Sequence, residues 1–334
     1  MSLLKFTRYV EWWEYKLPPL LSVAYATLIY YDYPLENAWK QIITLLAAVI
    51  VGAIYVSVIN DLTDIKEDLK AGKRNSMANL PITIRFVIVA IILVAAVFFG
   101  YLFYPDLKSI VFYALAYVVF SLYSIRPFRF KERGLLGVAC DAMGAHLFPA
   151  LLITANLIYF INVESDLWWY VAISSWSLLY GVRGILWHQF YDRENDLKSH
   201  TRTYASKVEP EDFKFSETLI MIFETLGFMI FVGHIYNEAI LWSALMYVCL
   251  VFLRIFILKR KIRIIVTNPG ESYQLFLNEF YIVFLPIALI IHMCSTQPFA
   301  KLVLIFHVTL FPMNTLLAIK DCVFSCKRLF KRFI

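Results

Sequence analysis

The chain has 334 residues, of which 60% are hydrophobic, 17% aromatic and only 17% charged, with a net charge of +6. So little charge excludes an ordinary soluble domain of this size. The positive surplus flanks apolar runs, which excludes a nucleic-acid-binding surface as its source.

Taken in order, the chain opens on Met1–Lys16, where Trp12, Trp13 and Tyr15 stand among charges. That mix suits an interfacial helix and not the apolar core of a cleavable signal peptide. Recurrent apolar runs then predict an all-α, polytopic membrane protein of nine to ten transmembrane helices, at roughly 17–31, 39–60, 81–103, 107–124, 135–156, 167–190, 216–235, 238–258, 275–294 and 299–319. Pro312 interrupts the last of these. With the N-terminus in the cytoplasm, only Lys40, Lys108 and Lys301 of the 31 lysines and arginines fall on the outer side. This bias predicts a cytoplasmic-membrane protein read as a single domain, 1–334. The five cysteines (Cys140, Cys249, Cys294, Cys322 and Cys326) show neither zinc spacing nor a disulfide pattern.

After the second run comes Asn60-Asp61-Leu62-Thr63-Asp64-Ile65-Lys66-Glu67-Asp68. On one helix Asp61, Asp64 and Asp68 share a face, at i, i+3 and i+7. Like charges so placed repel, and a hard divalent cation such as Mg²⁺ relieves them while leaving sites open for water or phosphate. A second pair, Asp192 and Asp196, follows the run Trp168 to Trp187 at i and i+4. Both clusters fall on the cytoplasmic side of the predicted topology, so two metal ions are expected on either side of a diphosphate. Asp64, Asp68, Asp192 and Asp196 are the candidate catalytic residues, with Asp61 a further metal ligand. Lys73, Arg74, Arg126, Lys131 and Arg202 are candidate phosphate-binding cations, although membrane-flanking bias alone also places cations there.

The chain also repeats itself. Asp64-x-x-x-Asp68-Leu69-Lys70, ending in Arg74, matches Asp192-x-x-x-Asp196-Leu197-Lys198, ending in Arg202, at an offset of 128 residues. Arg126-x-Phe128-x-x-Lys131 matches Arg254-x-Phe256-x-x-Lys259 at the same offset, and Asp141 with Phe148-Pro149 matches Asn278 with Leu285-Pro286 at an offset of 137. Two related four-helix halves, about 39–156 and 167–294, are therefore expected around a central cavity, with 299–319 as an extra helix. Within the apolar runs, Asp141 is expected to face that cavity and to bind an acceptor or act as a base, or else to pair structurally with a neighbouring helix. His188 is expected to orient acceptor or diphosphate, or to be hydrated at a helix end.

Together, Asn60-Asp61-x-x-Asp64-x-x-x-Asp68, Asp192-x-x-x-Asp196 and the run Tyr123-Ser-Ile-Arg-Pro-Phe-Arg-Phe-Lys131 resemble the paired motifs and the tyrosine-and-lysine loop of the UbiA superfamily of intramembrane prenyltransferases. The likeness runs from about the first segment through the ninth. It implies an all-helical fold open sideways to lipid, and Mg²⁺-dependent transfer of a prenyl group from a prenyl diphosphate to an acceptor that the sequence does not identify. Asn60, Asp61, Asp64 and Asp68 would hold one Mg²⁺ and the diphosphate, Asp192 and Asp196 the other, and Tyr123 and Lys131 would touch the diphosphate. The chain departs from the family in its tenth segment, in His200 at the end of the second motif, and in Asp141, which matches no family motif. Two other readings compete: a terpene cyclase or lyase on the same scaffold, and a secondary transporter with paired acidic sites.

Overall fold

The computed structural model describes residues 7–70, 72–199, 201–268 and 270–333. His200 and the first six residues of the expected N-terminal helix lie outside these. The fold is all-helical apart from one short two-stranded parallel sheet. In order, the helices are α1 (Tyr9–Tyr30), α2 (Leu35–Thr63), α3 (Ile65–Lys70), α4 (Ile82–Leu102), α5 (Leu107–Ser124), α6 (Leu135–Ala142), α7 (Phe148–Ile161), α8 (Leu167–Tyr191), α9 (Arg193–Ser199), α10 (Lys214–His234) and α11 (Glu238–Phe256). Strands β1 (Lys261–Arg263) and β2 (Tyr273–Leu275) precede α12 (Leu285–Cys294), α13 (Ala300–Leu310) and α14 (Pro312–Phe333).

Apolar length and short capped turns set most of these bounds. Asp106, Asp166 and Asn237 accept hydrogen bonds from backbone N–H groups in the first turns of α5, α8 and α11. Each satisfies a donor that the helix itself leaves free. Two π-helical turns, Met143–Leu147 and Phe280–Phe284, run directly into α7 and α12, whose second residues are Pro149 and Pro286. Proline lacks the N–H that a regular helix would use and its ring crowds the preceding turn, and the wider π turn before it accommodates both.

Among the described residues, six helices are long and apolar enough to cross a membrane, or seven if α13 and the first part of α14 count as one broken span. The chain is an integral, multi-pass membrane protein. α4 shows why: Phe86, Val94, Val97 and Phe98 are exposed, as lipid-facing side chains are, while its backbone is satisfied internally. α1 and α8 are as long but less apolar, because Glu14, Lys16 and Arg183 turn inward. The expected interfacial helix at the N-terminus is not separate. From Tyr9 onward it is continuous with the first span, through Pro18 and Pro19. Likewise 299–319 is not one straight helix: α13 and α14 meet at 86° beside Pro312, whose ring cannot continue the preceding turn.

α1 lies at the centre, buried from Leu17 to Leu28, and packs on α2, α7 and α12. α2 packs on α4 and α5, and α8 packs on α6 and α10. Trp169, Phe231 and Trp176 stack in the α8–α10 seam, with centroids 5.5 and 4.8 Å apart. The same seam holds Arg183 against Glu224, where Nη2 lies 2.8 Å from Oε1. Both are buried, and neither charge is tolerable at that depth without the other.

Candidate active site

The polar side chains converge on one cavity of about 1860 Å³, walled by α1 to α3, α5 to α9, α11, the π-helical turn Phe280–Phe284 and α14. Its acidic end is formed where two helices break. The expected face of Asp61, Asp64 and Asp68 on a single helix is replaced by a bend: Asp61 lies in the last turn of α2, Asp64 is its C-cap (φ −105°, ψ 7°), and Asp68 rides on α3. Asp192 breaks α8 in the same way (φ −90°, ψ 1°), and Asp196 rides on α9.

The two breaks match bond for bond at an offset of 128 residues. Asp64 N–H donates to Asn60 O and Asp192 N–H to His188 O, both at 3.0 Å. Asp68 N–H returns to Asp64 O and Asp196 N–H to Asp192 O, while Lys73 N–H and Thr201 N–H close onto Asp68 O and Asp196 O at 2.8 Å. Even the side-chain anchors correspond. Asn75 Nδ2 donates to Asp68 Oδ2 at 2.8 Å, and Thr203 Oγ1 to Asp196 Oδ2 at 2.9 Å. The backbone thus turns each acidic cluster toward the cavity instead of leaving it strung along one helix.

Cations bridge the two segments and cover the first. Lys73 Nζ lies 3.3 Å from Asp192 Oδ2, so the loop after the first cluster reaches the second. Lys131 Nζ contacts both carboxylate oxygens of Asp64. Arg129 Nη2 is 3.1 Å from Asp64 and 3.3 Å from Glu67. Lys131 is held in a single 3₁₀ turn, Phe130–Glu132, over Gly137. A Cβ at Gly137 would come within 2.8 Å of Phe130 O and 2.9 Å of Lys131 Cα, so only glycine lets that turn seat. Asp61 is buried and accepts from Ser76 Oγ and, at 3.4 Å, from Arg8 Nη1. Asn60 accepts from Ser124 Oγ.

Burial, reinforced by Asp64 and Asp61, holds the Asp68 carboxyl above the usual carboxylate range, against the bond from Asn75. Burial also raises Asp196, with Asp192 pushing the same way against the bond from Thr203. Burial lowers the Lys131 ammonium despite Asp64 beside it. Burial thus works against the charged form of all three groups.

Most expected site residues meet here: Asn60, Asp61, Asp64, Asp68, Lys73, Arg74, Tyr123, Lys131, Asp141, His188, Asp192 and Asp196 all line the cavity. Arg126 does not. Its side chain is 74% exposed and pairs with Glu67 at 3.3 Å. Arg202 is exposed and also off the cavity wall. Arg129, buried in the same loop as Arg126, takes the inward place, and nothing in the local sequence distinguishes the two arginines. Asn75 and Ser76, which pin the first cluster, were also missed. Their only signal is a polar pair shortly after Asp68. Deeper in the cavity Lys16 Nζ lies 2.7 Å from His146 Nε2, with Asp141 lining the same wall.

Among the described residues no three carboxylate or imidazole groups already converge as a metal cage. The carboxylates turn instead to Lys131, Arg129, Ser76, Asn75 and Lys73. The donor set itself, all carboxylate and amide oxygen, is the chemistry that hard divalent cations take.

A polytopic helical membrane protein with two matched carboxylate turns and buried cations around one cavity is the class that fold and site define. The chain belongs to the UbiA prenyltransferase family, whose profile matches residues 20–285. Two solved structures of a UbiA homolog from Archaeoglobus fulgidus share the fold, one bound to GPP and Mg²⁺ and the other to DMAPP and Mg²⁺. Each is 14% identical, covering 93% of this chain and 99% of its own, with TM-scores of 0.58 and 0.56 respectively. No curated protein matches the chain.

Proposed function

We propose that this chain transfers a prenyl group from a prenyl diphosphate to an acceptor inside the membrane. The observation that carries this reading is the pair of matched acidic turns facing one cavity and bridged by Lys73 and Asp192. Family membership and the ligands of the Archaeoglobus homolog support it. Asp61, Asp64 and Asp68 with Asn60 on one side, and Asp192 with Asp196 on the other, are the residues that would hold Mg²⁺. Bound there, Mg²⁺ supplies the charge that anchors a diphosphate and steadies it as it leaves.

The chain's own residues do the rest. Lys131 and Arg129 exchange Asp64 for diphosphate oxygens, and Lys73 and Arg74 close over the same group from the neighbouring loop. Tyr123 and Phe120, on the wall between this end and the apolar interior, exclude water from the allylic carbon as it becomes electron-poor, and offer ring faces to it. Lys16, His146, Asp141 and His188 form the polar recess that would receive the acceptor and its proton. That recess favours a transferase over a cyclase on the same scaffold, which needs no second polar subsite.

Two related halves, about 39–156 and 167–294, make up one domain in this reading. The π-helical turns at the offset of 137 and the acidic turns at 128 support that division. Nine to ten crossings, as the apolar runs suggest, and an acidic end on the cytoplasmic face, as the bias of lysines and arginines suggests, belong to the same reading.

Two variants and one product analysis test the proposal. Asp64→Ala and Asp192→Ala should each abolish turnover while the protein stays monodisperse, and near-normal turnover in either would sink it. Product analysis with donor alone separates the alternatives, because a cyclic or eliminated product formed without acceptor would mean a cyclase or lyase. Asp141→Asn should change acceptor affinity but not donor affinity, and no change in either would make Asp141 structural.

A further inference from the structure

We infer that α14 is an in-plane membrane helix whose outward face binds anionic lipid headgroups, with Lys320 and Lys327 as the contacts. This goes beyond the proposed reaction and does not depend on it.

The corner at Pro312 sets the direction of α14. α13 and the first part of α14 meet at 86°, so α14 leaves the line of the helix before it and runs across the bundle. Two side chains of α1 fix that corner. Trp13 Nε1 donates to Leu310 O at 2.8 Å, and the Glu14 carboxylate accepts from the N–H groups of Met313 and Asn314, both at 2.7 Å. A carboxylate there satisfies two donors that a helix start leaves free and suits the positive end of its dipole. The corner lies at the end of the bundle that holds the acidic turns, because α1 starts there: Arg8, just before α1, reaches Asp61. The far part of α14 is held as well. Asp321 accepts from Arg254 Nε at 2.9 Å and from Arg260 Nη1 at 2.7 Å, and Arg328 Nη1 donates to Ile257 O at 3.3 Å.

These anchors divide the helix into two faces. Ala318, Asp321 and Ser325, three and four residues apart, are buried against the bundle. The opposite face is exposed and changes along its length. Met313, Leu316 and Ile319 come first, Val323 and Phe324 follow, and Lys320 and Lys327 stand among and after them. Apolar side chains in that order suit the boundary of the acyl chains, and lysine stems are long enough to carry their charge from there to the headgroups.

Charge selects the lipid. The sequence of α14 holds five cations (Lys320, Lys327, Arg328, Lys331 and Arg332) and one acid, Asp321. That acid turns inward to Arg254 and Arg260 and neutralises nothing on the outer face. Lys320 and Lys327 pair with no carboxylate among the described residues. Cations without a counter-ion, set among apolar side chains at the depth of the headgroups, fit an anionic phospholipid and gain little from a zwitterionic one.

The test is the melting temperature of the purified full-length protein in a non-ionic detergent, titrated with dioctanoyl phosphatidylglycerol or dioctanoyl phosphatidylcholine. A ligand of the folded state raises that temperature as it fills its site. Each cation near an anionic surface strengthens binding about fivefold. Phosphatidylglycerol should therefore act at a concentration at least about tenfold lower than phosphatidylcholine, and high salt should narrow the gap. Lys320→Gln combined with Lys327→Gln should remove most of the difference. Lys207→Gln combined with Lys214→Gln, an exposed pair away from α14, should leave it within about twofold. Equal action of the two lipids, equal loss in the two double variants, or the same shift from inorganic phosphate alone would overturn the assignment. Should the α14 double variant fail to fold, Lys327→Gln alone should raise the effective phosphatidylglycerol concentration about fivefold, and no change would overturn it equally.

Discussion

Replacing Lys131 by methionine separates two roles that one side chain plays here. Lys131 Nζ contacts both oxygens of Asp64, and its side chain is only 10% exposed. A hydrogen bond to a charged group contributes about 1.5–3 kcal/mol, roughly tenfold to a hundredfold in an equilibrium constant. In the ligand-free protein that contact masks Asp64. In the proposed function the same ammonium would serve the diphosphate once donor is bound. Lys131→Met keeps the apolar stem, so it should weaken prenyl diphosphate binding by that factor and tighten binding of Mg²⁺ alone. The gain for Mg²⁺ should sit near the lower bound, because Arg129 still lies 3.1 Å from Asp64. Titration of Mg²⁺ alone, then of donor at saturating Mg²⁺, reads the two effects separately. Weakening of both, or of neither, would refute the exchange of partners.

Other outcomes follow from the same electrostatics. Asp68 and Asp196 have folded pKa values above the unfolded value of about 3.9. Ionising them therefore costs stability above the raised values, and the cost vanishes below the unfolded one. The metal-free protein should melt at a higher temperature as pH falls through that acidic window. Asp68→Asn should raise the metal-free melting temperature at pH 7 and shrink both that pH response and the stabilisation by Mg²⁺; a lower melting temperature with an intact Mg²⁺ response would contradict this. Glu224→Ala leaves Arg183 buried without a partner and should cost about 3–5 kcal/mol, read as a large fall in melting temperature. Partial recovery in the double variant Arg183→Met, Glu224→Ala would confirm that the unpaired charge is the cause, and no recovery would refute it.

The apolar runs and both acidic clusters were legible because lipid and metal each demand a narrow residue pattern. Lys131 was legible for the same reason, as a cation in a loop that the repeat singled out. The helix breaks at Asp64 and Asp192 were not. Periodicity assumes an unbroken helix, and these turns are closed by Lys73, Asn75, Thr201 and Thr203 well past the spacing that was read. Arg129 and Arg126 share a loop and a chemistry, and only the fold decides which one turns inward. Lys16 and His146 lie 130 residues apart, so their contact carries no local signal. The turn between α13 and α14 was marked by Pro312, but that α14 would line the cavity through Asn314 and Asp321 was written in no pattern of its own.

Release of diphosphate from a prenyl diphosphate by the purified protein, followed with and without Mg²⁺ and with and without a membrane extract as the source of acceptor, tests the central claim most directly. Release that requires both Mg²⁺ and extract, and that disappears in Asp192→Ala, is the expected result. Release indifferent to Mg²⁺, or no release and no donor binding under any condition, would contradict it.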